Sequence, residues 1–199
     1  MVKITRLVVC GPPGVGKTSL IEQCIYGNHT EKSPEKMIPT VEDTYNALVE
    51  TDRGTKERTR IYDIGGSTKV GRHYVSCADA FILVYDVNSP DTLSAVQALK
   101  REIDEYRAKR EVFFVLCGNK TDQRKKRIID QNELARWAQL EKTHMRETSI
   151  FDRQSLCNLF SWVVSRVTQS QSKSGFSFGK KDTRAFLSVT GPSKSEQLD

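Results

Sequence analysis

The strongest chemical signal in this chain is the run Gly11, Pro12, Pro13, Gly14, Val15, Gly16, Lys17 and Thr18. It fits G-x-x-x-x-G-K-[ST], follows a strand-like stretch (Ile4 to Cys10) and opens a helix-like one (Thr18 to Tyr26), the setting of a phosphate-cradling loop. Such a loop turns successive backbone N–H groups toward one anion, and the following helix adds the positive end of its dipole. Pro12 and Pro13 have no N–H to give. The donors must therefore come from Gly14 onward, through Gly16, Lys17, Thr18 and Ser19. Lys17 is placed to reach β- and γ-phosphates, and Thr18 to ligate Mg²⁺.

Three further groups carry compatible chemistry. Asp63-Ile64-Gly65-Gly66 fits D-x-x-G at the end of a strand; Asp63 is expected to hold Mg²⁺ through a water, and the Gly66 N–H to contact a γ-phosphate. Asn119-Lys120-Thr121-Asp122 fits N-K-x-D after the apolar run Val112 to Cys117. The Asp122 carboxylate only accepts hydrogen bonds, and guanine offers it N1–H and N2–H₂ donors that adenine lacks. Lys120 is expected to pack along the base and the phosphate loop. Thr40, in Pro39-Thr40-Val41-Glu42-Asp43, is the candidate for a second hydroxyl on the metal and an N–H on the γ-phosphate. The metal set is thus Thr18, Thr40 and Asp63, and the implied cofactors are GTP or GDP with Mg²⁺. Read blandly, these segments are a glycine turn and solvated loops. Their joint occurrence in the right order at strand ends outweighs that. A small-molecule or nucleotide kinase shares the phosphate loop, but N-K-x-D argues against one.

Strands and helices must alternate to place these loops. Tyr45 to Thr51 and Lys56 to Asp63 read as strands joined by a hairpin at Asp52-Arg53-Gly54. Phe81 to Asp86 and Val112 to Cys117 are unbroken apolar runs, as in strands buried on both faces. Helices are expected after Ser89-Pro90 (Val96, Leu99, Ile103 and Tyr106 in register), after Asp130 with Glu133, and over Leu156 to Val167. A βαββαβαβα order implies a doubly wound α/β fold with ligand loops at the strand C-termini. From about Thr168 the composition turns to Ser, Lys, Gly and Gln, which predicts a disordered tail over 169–199 behind a domain over 1–168.

Composition agrees with one soluble domain. Of 199 residues, 37% are hydrophobic and 28% charged, and no apolar run approaches membrane-spanning length. The start, Met1-Val2-Lys3, has neither a signal-peptide pattern nor a myristoylation glycine. Five cysteines (Cys10, Cys24, Cys77, Cys117 and Cys157) form no C-x-x-C pair and read as reduced core thiols in a reducing, cytoplasmic setting. Net charge is +6, with basic residues at Arg124 to Arg127 and from Lys173 onward. The loop basics have no interleaved aromatics, so they read as solvated rather than as a nucleic-acid or phospholipid site.

Over about residues 3–168 these motifs resemble a Ras-superfamily small GTPase, a P-loop NTPase with a mostly parallel six-stranded sheet and helices on both faces. Tyr26-Gly-Asn-His-Thr30, Glu50-Thr-Asp-Arg-Gly54, His73-Tyr74 with Ala78-Asp79, and Lys100-Arg-Glu-Ile-Asp104 with Lys109-Arg-Glu-Val112 are more narrowly similar to the NF-kappa-B inhibitor-interacting Ras-like proteins, or kappa-B-Ras. That resemblance implies binding to inhibitors of NF-kappa-B so as to slow their degradation, and action with the Ral GTPase-activating complex. It also implies a monomer.

The resemblance places further residues and marks departures. His29 falls where Ras stacks an aromatic on the base. Ser149-Ile150-Phe151 replaces Ser-Ala-Lys, and the Ile150 N–H can still reach guanine O6 without its side chain. The segment from His29 to Thr40 is longer than in Ras, and that from Ser67 to Tyr74 shorter. Pro13 stands where Ras has glycine, and Ser67 where Ras has the glutamine that orients the attacking water. No residue is therefore assigned a catalytic role. The last residues, Glu196-Gln-Leu-Asp199, contain no cysteine, so a prenyl anchor is not expected. These departures favour a GTP-bound binding protein with slow turnover over a conventional cycling GTPase. The intact Lys17, Thr18, Asp63, Asn119 and Asp122 argue against a nucleotide-independent scaffold.

Overall fold

β4 (Ala80–Asp86) lies at the middle of the sheet, between β1 (Thr5–Cys10) and β5 (Phe113–Asn119), and pairs parallel to both. The apolar runs of these strands suit burial on both faces, and the long connections between them allow the parallel pairing observed. The computed structural model describes residues 3–28, 39–66, 69–107, 110–126 and 129–175. Within them the six strands run in the order β2 (Glu42–Glu50), β3 (Lys56–Ile64), β1, β4, β5, β6 (His144–Glu147). β2 (Glu42–Glu50) and β3 (Lys56–Ile64) form the one antiparallel pair, closed by the turn in which Gly54 N–H donates to the Thr51 carbonyl at 3.0 Å.

Alternation along each strand builds two cores. Leu7, Val9, Ile82, Val84, Val115 and Cys117 point to one face and meet α1 (Lys17–Ile25) and α5 (Arg153–Gly175) through Leu20, Ile21, Leu156, Phe160 and Val163. Val8, Cys10, Phe81, Leu83, Tyr85 and Leu116 point the other way. They meet α2 (Arg72–Cys77), α3 (Pro90–Tyr106) and α4 (Gln131–Leu140) through Tyr74, Val75, Val96, Leu99, Ile103 and Leu134. Helices thus cover both faces, as the uninterrupted apolar strands require.

The sixth strand is β6, His144–Glu147, paired to β5. Its alternating, polar sequence carries no apolar run, which is why sequence reading places no strand there. The short α2 was likewise not expected. β2 starts at Glu42 rather than Tyr45 because Asp43 and Glu42 pair with Asp63 and Ile64 across the ladder. α5 continues to Gly175, past the boundary expected at 169. Residues 169–175 are therefore helical, and the rest of the expected tail lies outside the described residues. Ser89 occupies the N-cap of α3, but its side chain makes no cap bond; its carbonyl instead accepts from the Thr92 hydroxyl at 2.7 Å. Asp130 caps α4 by accepting from the Asn132 N–H at 2.7 Å.

Pairing register brings the motifs to one edge. Val9 lies opposite Asp63, and Asp86 opposite Asn119. All four sit at strand C-termini, where loops of an open α/β sheet form a ligand crevice.

Candidate functional site

The phosphate loop runs directly from β1 into α1. Gly16 at the helix start has φ +92°, and a Cβ there would lie 2.7 Å from the Asn119 side-chain nitrogen, so only glycine fits. Lys17 is buried and folds back over the loop, its Nζ donating to the Gly11 carbonyl at 2.9 Å and to that of Pro12 at 3.0 Å. Burial pushes the Lys17 ammonium below its ordinary range, against the opposing pull of Asp63 and Cys10. Pro13 and Gly14 are exposed at the loop tip.

Thr18, Thr40 and Asp63, taken from a helix, a loop and a strand, converge. The Thr18 and Thr40 hydroxyl oxygens are 2.8 Å apart, and the Thr18 hydroxyl donates to Asp63 Oδ2. Asp63 is fully buried, and its Oδ1 has no hydrogen-bond partner among the described residues. Its carboxyl is pushed up, chiefly by burial; the Thr18 hydrogen bond and Lys17 oppose this, while Asp43 and Glu22 add to it. A buried carboxylate oxygen without a partner, beside two hydroxyls, is a set of hard oxygen donors that fits Mg²⁺. Beside it lies a cleft of about 320 Å³ lined by Pro13, Gly16, Lys17, Thr18, Thr40, Gly65 and Gly66 among others. Here Pro13 sits hard against Gly66: a Cβ built on Gly66 would be 2.5 Å from the Pro13 Cα, Cβ and N.

The base loop is tied to the phosphate loop. The buried Asn119 side chain donates to the Val15 carbonyl at 2.9 Å, and its Oδ1 lies 3.4 Å from the Thr148 hydroxyl. Lys120 adopts φ 65°, uncommon for a side-chain-bearing residue. Its ammonium pairs with Asp86 at 2.9 Å, while Asn119 ties the base loop to the phosphate loop. Burial would raise the Asp86 carboxyl, yet the Asn88 N–H and Lys120 hold it below its ordinary range. Asp122 is exposed, and the Ser149 hydroxyl donates to its Oδ1 while accepting from the Phe151 N–H at 3.2 Å. Ile150 follows Ser149 in the same turn, half-buried.

His29 and Ser67 lie outside the described residues. The side chains of Arg124 to Arg127 do too. Of the remaining candidate residues, the structure gathers the phosphate-loop, metal and base-loop groups along one sheet edge. Sequence reading missed Asp86, which ends the β4 apolar run at that edge, and Thr148, which closes the β6 end of the base site. The acid at the end of a buried strand was the available signal for Asp86; nothing marked Thr148.

Comparison with known proteins follows the same line. A Ras family sequence model matches residues 6–169. NF-kappa-B inhibitor-interacting Ras-like protein 2 of Homo sapiens is 43% identical over 92% of this chain and 96% of its own length. NF-kappa-B inhibitor-interacting Ras-like protein 1 of Mus musculus is 42% identical over 88% of this chain and 92% of its own length, and that of Danio rerio has the same values.

Proposed function

The chain belongs to the Ras family of small GTPases, in the group of NF-kappa-B inhibitor-interacting Ras-like proteins, and from that premise we propose that it is a GTP-bound regulator with slow hydrolysis. The observation that carries the reading is the convergence of Thr18, Thr40 and the half-satisfied Asp63 beside Lys17. Backbone N–H groups from Gly14 to Ser19 cradle the β-phosphate, and Lys17 places its charge against the β- and γ-phosphates. Thr18, Thr40 and, through a water, Asp63 would hold Mg²⁺, and the ion would neutralise phosphate charge. The Gly66 N–H meets the γ-phosphate. Asp122, oriented by Ser149, selects guanine, with Asn119, Lys120 and the Ile150 N–H completing the base site and His29 stacking on the ring.

Slow turnover is supported by Pro13 and Ser67. The proline ring fills space against Gly66 on the γ-phosphate side, and serine is too short to orient water as glutamine does. A protein that stays GTP-bound acts by binding. The names of its relatives support NF-kappa-B inhibitor proteins as partners, and the family resemblance adds that binding limits their degradation. The family reading adds the Ral GTPase-activating complex, a monomeric state and a cytoplasmic location. Among the described residues no helix is long and apolar enough to cross a membrane.

The test is to purify the chain in Mg²⁺ and identify the nucleotide it retains. GTP is expected, with GDP alone pointing to a conventional cycle and no nucleotide to a scaffold. Co-precipitation of an NF-kappa-B inhibitor protein by the wild type, and a longer inhibitor half-life on overexpression, test the partner reading.

A further inference from the structure

Away from the phosphate and base loops, the seam between α1 and α5 brings two sulfurs together. Cys24 and Cys157 are 133 positions apart in sequence, yet their Sγ atoms are 3.8 Å apart, with the Cys24 thiol donating to the Cys157 sulfur. The Cys157 sulfur also lies 3.9 Å from the Cys24 carbonyl oxygen. Both residues are half-buried, whereas Cys10 and Cys117 are buried. The seam is held independently of the sulfurs: Arg153 donates from Nε to the Gln23 carbonyl at 3.1 Å and from Nη2 to the Cys24 carbonyl at 3.2 Å. The two thiols are therefore kept face to face by neighbouring contacts rather than by each other.

We propose that Cys24 and Cys157 form an oxidation site, a dithiol that a hydroperoxide converts into a disulfide stapling α1 to α5. Forming the S–S bond brings the two sulfurs from 3.8 Å to ~2.0 Å. Cys157 reacts first. Its sulfur attacks one oxygen of hydrogen peroxide, the O–O bond breaks, a water leaves with the thiol proton, and Cys157 becomes a sulfenic acid. The Cys24 sulfur then attacks that sulfur, its proton leaves with the hydroxyl as a second water, and the S–S bond forms. Two electrons have passed from the two thiols to the peroxide. Burial, and next the Cys157 sulfur, push the Cys24 thiol up to about 12. Because α1 begins at Lys17, the staple fixes the far end of the helix that presents Lys17 and Thr18.

The experiment treats the full chain with hydrogen peroxide, alkylates the remaining thiols, and digests with trypsin. Cleavage after Lys17, Lys32, Arg153 and Arg166 leaves Cys24 in peptide 18–32 and Cys157 in peptide 154–166, each with no other cysteine. A linked 18–32/154–166 pair is expected, reversed by dithiothreitol and absent from Cys24→Ser and Cys157→Ser. The oxidised wild type is expected to melt about 5 °C or more above the reduced form, since the staple closes a long loop. As a measurement that needs no variant, phenylarsine oxide should bind the reduced wild type one to one and block formation of the linked pair. Peroxide that oxidises Cys77 or yields sulfinic acid at Cys157 without the linked pair overturns the proposal. So does a linked protein that melts no higher than the reduced one.

Discussion

Asn119 reaches from the end of β5 to the Val15 carbonyl of the phosphate loop, 2.9 Å away, and is itself fully buried. One amide therefore ties the loop proposed to grip phosphate to the loop proposed to read the base. Asn119→Ala leaves the Val15 carbonyl buried without its donor. A stability loss of about 1–3 kcal/mol is expected, measured by denaturant unfolding without nucleotide. GTP affinity, followed by calorimetry, is expected to fall further than that of a variant at a solvent-facing base-loop position such as Gln123→Ala.

Asp63 links the metal site to pH. Its folded-state pKa is raised by burial above the ordinary 3.8, so the folded chain holds that proton more tightly than the unfolded one. The resulting stabilisation is fully present below the unfolded value and is lost as pH rises through the raised folded value. In EDTA, stability is expected to decline with rising pH on the basic side of the usual carboxylate range, and Asp63→Asn is expected to flatten that decline. The same variant should weaken Mg²⁺-dependent GTP retention by about 10- to 100-fold. An equal slope in wild type and variant would assign the pH effect elsewhere.

The elements most legible in the sequence were those whose chemistry or packing is local. The unbroken apolar runs of β4 and β5 announce buried parallel strands, and Gly11 to Thr18 announces its loop because each residue type answers a backbone requirement. β6 is polar and short, and it exists because β5 offers it a ladder, a fact of tertiary structure. The Lys120 pairing with Asp86 and the Asn119 tether to Val15 join segments distant in sequence, so spacing cannot show them. The Cys24–Cys157 approach is of the same kind: five scattered cysteines read as core thiols until two helices pack.

On the proposed reading, base choice rests on Asp122. Asp122→Asn replaces a group that only accepts with one that also donates, and xanthine presents a carbonyl where guanine has its 2-amino group. Preference is expected to move from GTP to XTP by about two orders of magnitude or more in competition binding. Ser149→Ala, which removes the hydroxyl donated to Asp122, is expected to weaken both nucleotides without reversing their order.

Turnover is expected to depend on Pro13 and Ser67 together. A trans-acting arginine and a water-orienting glutamine together accelerate a Ras-type site by up to ~10⁵-fold, roughly 7 kcal/mol of transition-state stabilisation. In this chain the Pro13 ring lies against Gly66, so close that a single added carbon at Gly66 would collide with it; an inserted arginine is expected to meet the same obstruction. Ser67 forfeits the water-positioning contribution through its length. Single-turnover GTP hydrolysis is therefore expected to be slow and to respond little to Ras-type activating proteins. Ser67→Gln alone restores little because the ring remains, and Pro13→Gly alone opens the space but supplies no orienting amide. The double variant is expected to regain clear acceleration by an activating protein, with a greater than additive gain in log rate, because the arginine and the glutamine act on the same transition state. Assays of the wild type, both single variants and the double variant, with and without activating protein, measure this directly. Wild-type hydrolysis as fast and as activatable as that of the double variant would show that these two positions do not hold the protein in its GTP state.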